Sequence, residues 1–252
     1  MAAASDRKQR AERAEQMRKE REKADRKQRN LITVAIAVVV VALIALGAWA
    51  VSSTGGDDKP VGPLVKPAHT NSTYGVVYGA ADAGGAAGTD PVTVIAYEDF
   101  QCPSCKAFEE QSGAHLDDLV KQGKITIEYR IFAFLDSRSS TEYSTRSASA
   151  AMAVLDKGGV AAFKKFHDLL YANQPPEGGA GLSDSALIAL AKEVGVTGID
   201  ADVKDKTFEP WVRKALKAGD DDGIGSTPTI VIDGKQVAAS SEAIDAAVAA
   251  AK

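Results

Sequence analysis

The sequence predicts an α/β domain with a block of helices set into it, preceded by one N-terminal transmembrane helix. Three observations predict this class. Residues 31–51, "LITVAIAVVVVALIALGAWAV", run for 21 positions without a charge. Two β-branched segments, 92–98 and 125–134, flank a stretch of helical periodicity, which is the pattern of a βαβ unit. A two-strand signal and a last helix follow the helical block near the end of the chain.

At about 1.5 Å of helical rise per residue, the uncharged run spans roughly 30 Å, the hydrocarbon thickness of a bilayer. A core helix of a globular domain keeps a polar face, and this segment has none. Residues 1–30 form a charged arm with 11 Lys and Arg against 6 Asp and Glu, whereas Asp57 and Asp58 follow the run with a single Lys. This bias puts the arm in the cytoplasm and everything after Val51 outside. "AWA" at 48–50 resembles a leader-peptidase site, and cleavage there is the alternative. Arm and apolar run are both longer than a leader peptide's, so the segment reads as an uncleaved anchor. Interleaved Glu and Arg make the arm a solvated helix near anionic lipid. The rest of the chain holds 19 basic and 28 acidic residues, which gives no support for nucleic-acid binding.

Residues 52–72, rich in Gly, Ser and Pro, read as a flexible linker, and residues 73–252 are long enough for one domain. "GVVYG" (75–79) is a short strand and "VTVIAYE" (92–98) a buried one. Cys105, Phe108, Ser112, Leu116, Leu119 and Val120 recur at helical spacing up to a stop at Gly123. "ITIEYRIFAF" (125–134) is the third strand, parallel to the second. Helices then occupy approximately 137–220: an Ala-rich stretch at 148–155, "VAAFKKFHDLLYAN" with Phe163, Phe166, Leu169 and Leu170 on one face, a helix capped by Ser183, and one carrying Phe208, Val212, Ala215 and Leu216. "TPTIVIDGKQVA" is a hairpin turning at Asp233-Gly234, and Ser240 or Ser241 starts the final helix.

The chain has two cysteines, Cys102 and Cys105, both in "YEDFQCPSCKAFEE" (97–110). A zinc site would need two more ligands. His115 lies ten residues beyond Cys105, roughly 15 Å along the helix, His69 sits in the linker, and His167 is expected on a helix surface, so no metal is expected. A structural disulfide across two residues closes too small a loop to stabilise much, and inert paired thiols fit poorly outside the cytoplasm. A redox dithiol fits best. With Cys102 as helix cap, Pro103 takes the first helical position, where its missing N–H costs nothing. The N–H groups of Ser104 and Cys105 then have no helical acceptor and turn toward the Cys102 sulfur. Both favour the thiolate, so Cys102 attacks and the more enclosed Cys105 resolves, with Pro103 and Ser104 tuning the potential.

"YEDFQCPSCKAFEE" after a buried strand, "FKKFHDLLYANQ" in the helical block and "GIGSTPTIVIDG" opening the hairpin together resemble the membrane-anchored DsbA-like thiol–disulfide oxidoreductases. The resemblance covers about Thr73 to Lys252. It implies a thioredoxin-like fold with an inserted α-helical domain, and a catalytic pair at Cys102 and Cys105. It also implies a cis-proline dipeptide at Thr227-Pro228 that binds the substrate backbone; from the residues alone, Pro228 could simply begin a strand. Asp99 sits where relatives carry an acidic residue, as a candidate proton acceptor for Cys105 with Glu98 as the second candidate; a solvated charge at the strand end is the alternative. Where the family's strong oxidants carry Pro-His between the cysteines, this chain carries Pro-Ser, which predicts a less oxidising pair.

The resemblance implies an extracytoplasmic oxidase that takes electrons from reduced, unfolded secreted proteins and is reoxidised by a quinone-linked membrane partner, with no cofactor of its own. A reductase or isomerase of the same fold, or a tethered non-catalytic binding module, are the competing expectations.

Overall fold

The computed structural model describes residues 62–251. The predicted arm, the membrane run 31–51 and the first ten residues of the linker lie outside the described residues. No described helix is long and apolar enough to cross a membrane.

A five-stranded sheet forms the centre, with strands β1 (Val76–Tyr78), β2 (Val92–Glu98), β3 (Ile125–Ile131), β4 (Thr229–Ile232) and β5 (Lys235–Val237) in the order β1-β3-β2-β4-β5. β2 is central and runs parallel to β3, from Val92 opposite Ile125 to Glu98 opposite Ile131, while the other pairings are antiparallel. The parallel pair requires a crossover. It is supplied by α1 (Pro103–Phe108), a π-helical turn (Glu109–Gly113) and α2 (Ala114–Lys121), which follow one another without a break. Gly123, at φ 67°, ends this crossover: its N–H reaches Val120 O, and that of Lys124 reaches Leu119 O. The β4–β5 hairpin turns through Asp233 and Gly234, both at positive φ, as the two-residue turn demands.

Between β3 and β4 lie α3 (Tyr143–Ala172), α4 (Asp184–Glu193), α5 (Asp200–Lys204) and α6 (Glu209–Asp221). The hydroxyl of Ser183 accepts the Ala186 N–H and starts α4, and Ser240 does the same from Ala243 for α7 (Ser241–Ala250). α3 packs against α4, α5, α6 and β1, so the inserted block is anchored on the sheet. One continuous core holds Val94, Ile127 and Tyr129 of the sheet together with Phe163, Phe166 and Leu170 of α3.

Three expectations need correction, and α3 carries a kink. β3 stops at Ile131, where Phe132 N–H to Glu98 O forms the last rung of its ladder with β2, and beyond it Leu135 N–H reaches Asp99 Oδ2. The Ala-rich and Phe-rich segments lie on the two sides of a kink in α3, at Gly159, whose φ 75° and ψ −177° are not helical. The end of the predicted flexible linker is docked on the domain: Pro67 is buried, Ala68 N–H bonds Asp156 Oδ1 at 2.8 Å, and Thr70 bridges Val76. His167, expected at a helix surface, has no exposure at all.

Candidate active site

The end of β2 runs straight into the cysteine motif. The N–H of Cys102 donates to Asp99 O, which closes a turn, and Cys102 then caps α1 with extended backbone angles, with Pro103 in the first helical turn. Cys102 is 7% exposed and Cys105 is fully buried, so only the first sulfur has any opening to a partner. From the start of the neighbouring strand β4, Thr227 O lies 3.4 Å from Cys102 Sγ, and the Thr227–Pro228 peptide beside it is cis. Cys102, Cys105 and Thr227-Pro228, separated by more than a hundred residues, thus meet at one point.

The electrostatics at the two sulfurs are opposite. Cys102 is pulled down to about 5 chiefly by a hydrogen bond from the Cys105 thiol, against the cost of burial. The Thr227 side chain and the backbone N–H groups of Cys105 and Ser104 add to the pull. The helix-end donors are therefore present, but the largest contribution comes from the partner thiol. Cys105 is pushed far above its ordinary value by burial, by its bond to Cys102 and by the charge of Glu98.

The two candidate carboxylates occupy different environments. Asp99 is clamped: Oδ1 accepts Gln101 N–H at 2.8 Å and Ser144 Oγ–H at 2.7 Å, and Oδ2 accepts Leu135 N–H at 2.9 Å. Burial raises it to about 6 in spite of these three donors. Glu98, also fully buried, points to the inserted block, where Oε2 lies 2.9 Å from Nε2 of His167 while Oε1 has no partner among the described residues. Asp99 thus accepts three donors and fastens the loop, while Glu98 keeps one oxygen without a partner among the described residues.

Sequence reasoning missed three residues of the inserted block. Ser144 binds Asp99, Gln174 donates from Nε2 to both Phe100 O and Cys102 O at 3.0 Å, and His167 binds Glu98. A signal for His167 existed: it lies four residues past Phe163 and three before Leu170, on the apolar stripe. Glu98, Glu109 and His167 bring three ligand-type atoms within 4.8 Å of one another. Both ring nitrogens of His167 already face carboxylate oxygens, Nε2 that of Glu98 and Nδ1 that of Asp168 at 3.1 Å. Two N–H groups suit that arrangement better than a lone pair aimed at a metal ion.

A buried dithiol at the head of the helix that follows the central strand, faced by a cis X-Pro turn, defines the class of thioredoxin-fold dithiol proteins, here with helices inserted between β3 and β4. The chain belongs to the thioredoxin family, whose model, described as "Thioredoxin", matches residues 71–250. It is 26% identical over 151 residues to Disulfide bond formation protein D of Bacillus subtilis (strain 168), an alignment covering 58% of this chain and 65% of that protein. The chain therefore spans just under two thirds of the length of that curated relative. Among solved structures it is similar to the reduced form of a disulfide bond oxidoreductase (DsbG) from Mycobacterium tuberculosis, with 31% identity, a TM-score of 0.56, and coverage of 64% of this chain and 79% of that one. Reduced DsbA from the same organism gives 28% identity and a TM-score of 0.57, covering 71% of this chain and all of that one.

Proposed function

We propose that the protein is an extracytoplasmic thiol–disulfide oxidase, held to the membrane by residues 31–51, that introduces disulfides into reduced secreted or surface proteins. The observation that carries this reading is the arrangement of the pair: Cys102 caps α1 against the cis Thr227–Pro228 turn, Cys105 is fully buried behind it, and these surroundings draw Cys102 down to about 5. Near pH 7 such a Cys102 is mostly thiolate. A stabilised thiolate stabilises the reduced pair, which makes the disulfide a stronger oxidant by about 30 mV for each factor of ten. The names of the relatives, disulfide bond formation protein and disulfide bond oxidoreductase, support the same chemistry.

A client thiolate attacks Cys102 Sγ of the oxidised pair, forming a mixed disulfide and releasing Cys105, which takes up a proton. The second client thiolate attacks the client sulfur of the mixed disulfide, closing the client's disulfide and freeing Cys102 as a thiolate. The client gives up two electrons and two protons; the pair keeps both electrons and one proton, and the other proton enters solution. Thr227-Pro228 lines the approach to Cys102 and is placed to bind the client backbone. A quinone-linked membrane protein then reoxidises the pair.

Titration of the dithiol against a glutathione buffer, with trapping of clients by the Cys105→Ser variant in cells, tests the proposal. Client proteins held as mixed disulfides and a pair found oxidised at steady state support it. A pair found mostly reduced would make the protein a reductase or isomerase, and a Cys105→Ser variant that traps nothing would leave only a binding module.

A further inference from the structure

The end of α3 lies along the junction between β2 and α1, and side chains on one face of it meet that junction in order. His167 Nε2 stands 2.9 Å from Glu98 Oε2, the Tyr171 hydroxyl donates to Asp99 O at 3.4 Å, and Gln174 Nε2 donates to Phe100 O and Cys102 O, each at 3.0 Å. Positions 167, 171 and 174 are spaced i, i+4 and i+7, the repeat of one helical face, so a step along α3 is matched by a step from Glu98 toward Cys102. The third member lies past the helix but is still fixed to it. Asn173 closes α3 with its N–H and its Nδ2 both on Leu169 O, at 3.0 and 2.9 Å, and Gln174 N–H follows onto Tyr171 O at 3.2 Å. The half-buried Gln174 amide therefore reaches the cysteine motif from a terminated helix rather than from a free loop.

The oxygen that Gln174 holds on Cys102 is the one that sets how α1 begins. Cys102 is the cap residue, with φ −75° and ψ 118°, and its side chain makes no capping bond. Its carbonyl accepts the first helical bond, from Lys106 N–H at 3.2 Å, and the second donor on that oxygen is Gln174. The peptide from Cys102 to Pro103 has no N–H, so this carbonyl is the one polar group by which its plane can be held. That plane sets where Sγ lies relative to Thr227 O, 3.4 Å away, and to the N–H groups of Ser104 and Cys105. Phe100 O, on the other N–H of the same amide, fixes the chain two residues earlier. One neutral side chain of the inserted block thus holds the main chain on both sides of Gln101.

We infer that Gln174 is a positioning residue of the dithiol: by holding the Cys102 carbonyl it keeps Cys102 Sγ against Thr227 and the donors at the start of α1, and so couples the reactive sulfur to the inserted block. The inference rests on the proposed dithiol exchange. Gln174 acts through the main chain, carries no charge, and neither gains nor loses a proton in the exchange. Its effect is geometric: when the carbonyl is released, α1 can start at another tilt and the short contacts to the sulfur lengthen. A hydrogen bond to an ionised sulfur weakens steeply with distance and angle, so a small tilt is read out as a less stable thiolate. A tie that served only to join the block to the sheet would lower folding stability and leave the sulfur as it was.

The test compares two variants of the full chain. Gln174→Met keeps the length of the side chain without its N–H groups, and Ser240→Ala removes the serine cap of α7, which lowers stability without touching the cysteine motif. Thiolate absorbance follows the Cys102 titration, and a glutathione buffer gives the equilibrium between dithiol and disulfide. Gln174→Met should raise the Cys102 titration by about half a unit or more, and move the equilibrium toward the disulfide by about threefold or more. Ser240→Ala should keep both parental values while its melting temperature falls. Parental values in Gln174→Met would overturn the inference, and so would the same shift in Ser240→Ala, which would trace it to general loosening. If Gln174→Met does not fold, by circular dichroism, Gln174→Asn, whose N–H groups stop one methylene short, decides by the same two readings. Failure of the redox reading itself looks different: the parental pair would then not equilibrate with glutathione at all.

Discussion

Cys102 owes its acidity first to one neighbouring atom, the hydrogen of the Cys105 thiol, and only then to the helix end. Cys105→Ala removes that donor, so the Cys102 titration, followed by thiolate absorbance, should move up from about 5 by one unit or more. Ser104, exposed beside the sulfur, offers at most a neutral hydroxyl. Ser104→His places a cationic ring there, and the glutathione equilibrium should shift toward the reduced pair by about tenfold, or about 30 mV; an unchanged constant would contradict the electrostatic account. Asp99 has a different task. Asp99→Ala leaves the N–H groups of Gln101 and Leu135 and the Ser144 hydroxyl without their acceptor. Loss of two or more buried bonds should cost about 2–3 kcal/mol in urea unfolding, with the pH profile of Cys105 resolution unmoved.

Among the elements, the strands β2, β4 and β5 and the capped helices α4 and α7 follow from local sequence, because a β-branched apolar run, an Asp-Gly turn and a serine cap are short-range effects. The end of β3 does not, since β3 ends where its partner β2 ends, with Ile131 opposite Glu98, and a partner's length is not written in local sequence. The π turn is equally invisible: its residues, "EEQSG", fit an ordinary helical stretch. α6 shows how closely the inserted block fits the sheet. A Cβ at Gly219 would lie 1.8 Å from Phe132 Cζ, so Gly219→Ala should force the ring or the helix aside and lower thermal stability by about 1–3 kcal/mol, although alanine is the better helix former.

Over the whole molecule, the redox state and folding stability are linked through Cys102. Its folded value of about 5 lies below the ordinary 8.5 of an unfolded thiol, so between these pH values the reduced folded chain binds fewer protons than the reduced unfolded chain. The stabilisation is therefore complete above about pH 8.5 and is lost as pH falls through 5, at about 1.4 kcal/mol per unit. Asp99, Glu109 and His167 also have raised values, but they are present in both redox forms, so subtracting the oxidised from the reduced unfolding curve leaves the two thiols, of which the raised Cys105 opposes Cys102 only as pH approaches 8.5. Denaturant unfolding of both forms at pH 5, 6, 7 and 8 should show the reduced form gaining on the oxidised with each step. A flat difference would mean that the thiolate is not held.

The sequence by itself determined the chemistry-bearing pair, the order of the strands along the chain, the crossover helix and its caps, because all of these depend on neighbours within a few residues. It also marked Thr227-Pro228, through a resemblance whose motifs are short and contiguous. Only the tertiary structure decided that Asp99 is a clamp, that Glu98 meets His167, and that His167 lies in the core. Those facts turn on α3 folding back across the end of β2, and a contact spanning 69 residues leaves no pattern in the local sequence.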